Sequence, residues 1–269
     1  MSRIFSKNAH HLSGLLLFLA ALTLYGLTLC PDAFPGESAR SIVRHTGLDP
    51  FPPMTNPIWT LFVRLIEVIP GGSLAFRLNL FSAVCGALSV WAVFWVSVLT
   101  IPWLKPTGRG SGEWDAVSML TGWTAGLFLM FCIPFWVMST RAFPLSLDIL
   151  LLLLTTLFFI LAWNEQQIEW LIPFVLFYGI GMTEFSTFIL CAPLFGTATL
   201  ILLWLCRRFN LPTLLGLTAC LIPGGLVYLI MAWKFMQTPA FEWFDVGSYF
   251  QGLWYVLVQH KMKLFDAVP

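Results

Sequence analysis

Charge is scarce in this chain of 269 residues: only 10% of them are Asp, Glu, Lys or Arg, against 58% hydrophobic. A soluble domain spends about a quarter of its residues on charge, so this share excludes an ordinary water-exposed surface. With a formal net charge of +1 there is also no basic excess, which excludes the electrostatic footprint of a nucleic-acid binder. Close cysteine pairs are missing. Cys30, Cys85, Cys132, Cys191, Cys206 and Cys220 never form Cys-x-x-Cys, and His10, His11, His45 and His260 are scattered, so neither a zinc site nor a disulfide framework is expected. These cysteines sit in or beside apolar runs and read as small packing residues. There is no Asn-x-Ser/Thr sequon and no repeat, and "KPTGRGSGEWD" lacks the Gly-Lys-Ser/Thr ending of a phosphate loop.

Long apolar runs are what the chain does have, and its mean hydropathy is +0.84. Runs of about twenty residues without charge match the ~30 Å hydrocarbon layer of a bilayer. The first, "HLSGLLLFLAALTLYGLTLC", follows Arg3 and Lys7 like a signal peptide. It is too long for a signal's apolar core and ends in Leu-Cys-Pro-Asp with no small-x-small cleavage site, so it reads as a retained span. Further spans are expected at roughly 74–100, 116–137, 143–163, 170–187, 188–206 and 211–235, about seven in all. The expected architecture is one all-α polytopic membrane domain over 1–269.

Lysine and arginine in short loops set the orientation. An N-terminus in the cytoplasm places Arg3, Lys7, Lys105, Arg109, Arg207 and Arg208 inside, with the loop 31–73 and the C-terminal stretch 236–269 outside. Arg141 and Lys234 fall outside too, so the bias is modest. The chain is then expected to be integral to a membrane, with its N-terminus in the cytoplasm. The aromatic stretch 236–269 ends without a stop-like feature, as a shortened chain would.

The loop 31–73 is more than a linker. "ESARSIVRHTG" has helix formers and closes on a glycine, and "PIWTLFVRLIEVIP" opens on a proline suited to a first helical turn. In the second piece Ile58, Leu61, Phe62, Leu65, Ile66 and Ile69 recur at helical spacing, which predicts a helix lying in the membrane interface. Between the two, "LDPFPPMTNP" predicts a stiff, extended turn.

"PDAFPGESAR" concentrates charge in this loop. Asp32 and Glu37 read either as solvated loop acids or as chemistry. Pro-Gly before Glu37 forces a tight turn and puts the acid at a helix N-terminus, where the dipole favours a carboxylate. An acid held there can take a proton from an acceptor hydroxyl, as lipid-linked group transfer requires. Glu184 and Asp148 lie within expected spans, where acids are functional candidates by default. Arg141 and Asp148, seven residues apart, are expected to share one helix face, and Asp148 reads first as part of a structural pair. The thirteen Trp and twenty-five Phe read mainly as interfacial belt and packing, and Trp59, Trp243 and Trp254 are expected on the outer side.

A first span, a Gly36-Glu37 loop, Pro52-Pro53, Pro57, Arg64-Leu65 and then Arg77, Asn79, Leu80 and Ser82 opening the second span follow in order. This order resembles a bacterial membrane family, formerly of unknown function, that is related to a eukaryotic protein O-mannosyltransferase and belongs to the C-type glycosyltransferase fold. Phe135-Trp136 and "GIGMTEFSTFILCAPLF" extend the resemblance, which covers about 12–200. Two positions depart from the family pattern: Phe34 stands at the loop aspartate, and Glu184-Phe185 stands where an Asn-His pair is usual.

The resemblance implies a C-type helix bundle and a glycosyltransferase that moves a sugar from a polyprenyl-phosphate donor to a protein or glycan acceptor on the outer face, with inversion at the sugar carbon. Glu37 is then the catalytic base and Asp32 a substitute for the missing aspartate. Arg40, Arg44, Arg77 and Arg141 become donor-phosphate ligands, each with the alternative of a headgroup anchor, and Glu184 a substrate-binding acid. Acids near phosphate permit a divalent cation, but no ligand spacing demands one. The rival readings are a transporter or flippase of a lipid-linked intermediate using Glu184, Asp148 and Arg141, and a non-catalytic membrane subunit.

Overall fold

The computed structural model describes residues 2–49, 55–104, 111–237 and 247–266. Pro50, Pro52 and Pro53 of the expected stiff turn, the loop residues Lys105 and Arg109, and Trp243 lie outside the described residues. All regular structure among the described residues is helical. The helices are α1 (Ser2–Leu27), α2 (Glu37–Thr46), α3 (Pro57–Val68), α4 (Leu74–Thr100), α5 (Ser111–Phe131) and α6 (Ile133–Ser139). They continue as α7 (Leu145–Glu165), α8 (Leu171–Glu184), α9 (Thr187–Leu205), α10 (Leu211–Ala219), α11 (Ile222–Met236) and α12 (Tyr249–Asp266).

Local chemistry explains the main boundaries. Ser73 caps α4, its hydroxyl accepting from the Phe76 N–H, and Asn210 caps α10 by accepting from Thr213. The chain breaks between α5 and α6 by 67° at Cys132. Pro134 cannot donate to the carbonyl four residues back, Met130, and its ring crowds that oxygen. The Tyr25 hydroxyl from α1 donates to this Met130 carbonyl at 3.2 Å. The bend therefore leaves no orphan acceptor there and is locked against α1.

α4 is the central post, packed by α1 and α5 on one side and α7 on the other; α8, α11 and α12 follow outward from α7. Leu17, Ala21, Val90 and Phe94 fill the seam of α1 with α4, and Trp59, Val63, Leu78, Leu147 and Phe188 fill the seam under α3. α8 and α11 cross where Gly179 meets Gly224, and a Cβ on Gly224 would overlap the Gly179 carbonyl. Large apolar side chains on α9 to α11, such as Leu194, Trp204, Leu215 and Trp233, face outward. So much apolar surface is tolerable in lipid and not in water.

The span count differs from the expected seven. Five helical segments among the described residues are long and apolar enough to cross a membrane, or six if α5 and α6 count as one bent span. The expected span 170–187 contains α8, whose 14 residues reach about 21 Å and fall short of the hydrocarbon thickness. Three local expectations are also corrected. Arg141 precedes α7 and Asp148 lies in its first turn, so the two do not share a helical stripe. Trp59, expected where an acceptor could dock, is instead buried against Phe81 at a ring distance of 5.6 Å. On α3 the buried stripe is Trp59, Val63 and Ile66, while Leu61, Leu65 and Val68 face away from the protein. An apolar helix with only one face covered by protein suits the membrane surface, but the covered face is rotated from the expected one.

Candidate functional site

Glu37 opens α2. The preceding Gly36 has φ +96°, a conformation that a side chain opposes, and this turn delivers the carboxylate to the first turn of the helix. There the exposed N–H groups and the helix dipole favour negative charge. Arg40, one turn on, donates to Glu37 Oε1 at 2.7 Å; both side chains are well exposed, so this pair contributes at most about 0.5 kcal/mol.

Glu37 lines a small pocket of about 210 Å³ together with Phe34, Pro35, Ser38, Met138 and Arg141. Arg141 comes from the turn between α6 and α7, far away in sequence. Its guanidinium carbon lies 3.3 Å from the centroid of the Phe34 ring, a cation–π contact. Ser38 is buried, and its hydroxyl has no hydrogen-bond partner among the described residues.

Asn79 on α4 brings the two loops together. Its Nδ2 donates to the carbonyls of Cys30 at 2.7 Å and Asp32 at 3.1 Å, and its Oδ1 accepts from the Ala142 N–H at 2.6 Å. The side chain is 0% exposed. The Cys30 N–H donates to the Thr140 carbonyl at 3.2 Å, and Trp136 donates to the Thr28 hydroxyl at 2.8 Å. The Glu37 loop and the Arg141 turn are thus one hydrogen-bonded unit built on α4.

The remaining candidates stand elsewhere. The Asp32 carboxylate is exposed, accepts from the Ala33 N–H at 3.2 Å, and does not line the pocket. Arg44 lies 3.8 Å from Asp49. Arg77 donates to the Ile66 carbonyl at 2.9 Å, at the C-terminal end of α3. Glu184, 3% exposed, accepts from the Ile58 N–H at 2.8 Å and the Trp59 N–H at 2.9 Å, at the N-terminal end of that helix. Pro57 has no N–H, and Asn56 does not cap with its side chain but donates it to the Glu184 carbonyl, so α8 supplies the cap that α3 lacks. Arg77 and Glu184 therefore hold α3 at its two ends, while Glu37 and Arg141 meet in the pocket. Sequence reasoning placed Asn79 in a motif without a role; a carboxamide inside an apolar span was the signal, because it demands partners. Nothing in the sequence signalled Ser38 or Met138 at the pocket.

Among the described residues no three His, Cys, Asp or Glu gather into a metal-holding group. The pocket's only carboxylate among them is Glu37. These residues do not make a ligand set for the divalent cation that the sequence permits.

Fold and site together define a helical membrane protein with an acid and an arginine facing one small pocket at an end of the bundle. Residues 50–207 match the family described as protein O-mannosyl-transferase TMEM260 N-terminal domain, and the chain belongs to that family. The description is that of a glycosyltransferase domain. Nothing among curated proteins or solved structures matches the chain.

Proposed function

We propose that the chain is a membrane glycosyltransferase that moves a sugar from a polyprenyl-phosphate donor to a hydroxyl of a protein or glycan acceptor on the outer face of a bacterial inner membrane. The observation that carries this is the meeting of Glu37 and Arg141 in one pocket. An anion ligand and a proton acceptor are the two groups such a transfer needs. The pocket is smaller than the roughly 300–1,000 Å³ of a typical ligand site, so it suits a sugar-phosphate headgroup whose chain stays in lipid.

In the proposed step Glu37 accepts the proton of the acceptor hydroxyl. The hydroxyl oxygen attacks the anomeric carbon from the side opposite the phosphate, and the bond from that carbon to the phosphate oxygen breaks. The electron pair leaves with the phosphate, whose growing charge Arg141 neutralises. Arg40 stands one turn behind Glu37 as a second cation for the headgroup. Arg77, Glu184 and Arg44 serve the scaffold of α2 and α3, and Asp32 serves its own loop; none of the four is asked to touch substrate.

The bent pair of α5 and α6 favours a second reading, since broken helices that line a cavity are a transporter device. The test is to supply membranes with sugar-labelled polyprenyl phosphate and to analyse the label for new glycosidic bonds, using the wild type and Arg141→Gln. Transfer into acceptor that Arg141→Gln cuts at least tenfold is the expected result. Label that crosses the membrane still bound to its lipid supports transport and overturns the transferase reading.

A further inference from the structure

The pocket holds opposite charges that do not pair. Glu37 and Arg141 both line it, yet the carboxylate goes to Arg40 and the guanidinium rests on the ring of Phe34. Among the described residues no oxygen accepts a hydrogen bond from Arg141. A ring face attracts the cation through its quadrupole but has no lone pair to take an N–H, so the guanidinium keeps its donors for another anion. Without that support Arg141 is free to turn toward Glu37, the unlike charge that lines the same pocket. Such a pair would take up the donors of the anion ligand, and Glu37 would then face two cations, Arg40 and Arg141.

Phe34 is well placed for this work. It is 37% exposed, so core packing does not account for the ring. Its carbonyl accepts from the Ala39 N–H at 3.1 Å, which ties it to the first turn of α2 beside Glu37. Ser38 in the same turn adds a buried hydroxyl with no partner among the described residues. We infer that Phe34 is a positioning residue: it holds the Arg141 guanidinium apart from Glu37 and ready for the phosphate of an isoprenyl phosphate, and so sets donor affinity. This rests on the reading of the pocket as an anion site beside a base.

The test uses the full chain in nanodiscs and three variants, Phe34→Tyr, Phe34→Leu and Phe34→Asp. Phenylglyoxal labelling of Arg141, followed by peptide mass spectrometry, reports that guanidinium directly, and farnesyl phosphate is the protecting probe. Farnesyl phosphate protects Arg141 in the wild type. Phe34→Leu raises the half-protecting concentration about fivefold, Phe34→Tyr restores it to within about twofold, and Phe34→Asp abolishes protection because the new carboxylate takes the cation. In the transfer assay Phe34→Leu raises donor KM with a smaller change in kcat. Wild-type Arg141 that farnesyl phosphate does not protect overturns the inference, as does equal loss in the Leu and Tyr variants, which a packing role would give. Protection needs no transfer: protection with this variant order but no new glycosidic bond sinks the transferase reading alone, and transfer with no dependence on residue 34 sinks the role of Phe34 alone.

Discussion

Replacing Asn79 by Ala would strand the carbonyls of Cys30 and Asp32 and the Ala142 N–H, all joined now through one side chain. Each buried group left without a partner costs roughly 1–3 kcal/mol. Thermal unfolding in detergent should show Asn79→Ala well below the wild type. Asn79→Asp, closest in shape, should be no better, because an oxygen then faces two carbonyl oxygens where an amide had donated. A melting temperature for Asn79→Asp equal to the wild type would contradict this account of the clamp. The same residues show how far the site was legible. Glu37 at a helix start followed from Pro-Gly and the helix formers after it. That Arg141 lines the pocket of Glu37, and that Arg77 does not, depends on bonds between distant loops, and no local pattern carries those.

At the scale of elements, the connection between α1 and α4 is held by charges that come from outside it. α3 takes its N-terminal cap from Glu184 on α8 and has its last turn bound by Arg77 on α4. Glu184→Ala removes the acceptor of two N–H groups and should cost about 1.5–3 kcal/mol. Limited proteolysis should then cut near α3 faster than in the wild type, while the α1 and α4 spans stay intact; unchanged cleavage would mean that α3 is held by packing alone. At the start of α2 the φ of Gly36 makes Gly36→Ala a strain of about 1–3 kcal/mol in one turn. That variant should lose transfer more than it loses melting temperature. The first loop helix was legible from its helix formers and closing glycine, the second from Pro57 and the apolar spacing. The face that α3 buries was not, because both of its faces are apolar and only its neighbours decide which one is covered.

The whole molecule is a row of helices around α4, and the row closes through small residues. At the α8 crossing with α11 the Gly179 and Gly224 backbones touch, so Gly224→Val should separate the two helices and lower the melting temperature by several degrees. A wild-type value for that variant would show that the crossing is looser than described. The membrane class and the order of helices could be read from apolar runs, since length and charge depletion suffice for that. The count of seven could not, because α8 is apolar enough for a span and only its length falls short. The central claim concerns chemistry, and Glu37→Gln addresses it most directly: the amide keeps the size of the side chain and gives up its role as a base. Labelled sugar should pass from polyprenyl phosphate to envelope acceptors in wild-type membranes and fall by about a hundredfold or more with Glu37→Gln at equal protein level and melting temperature. Transfer that continues undiminished in Glu37→Gln would contradict the account.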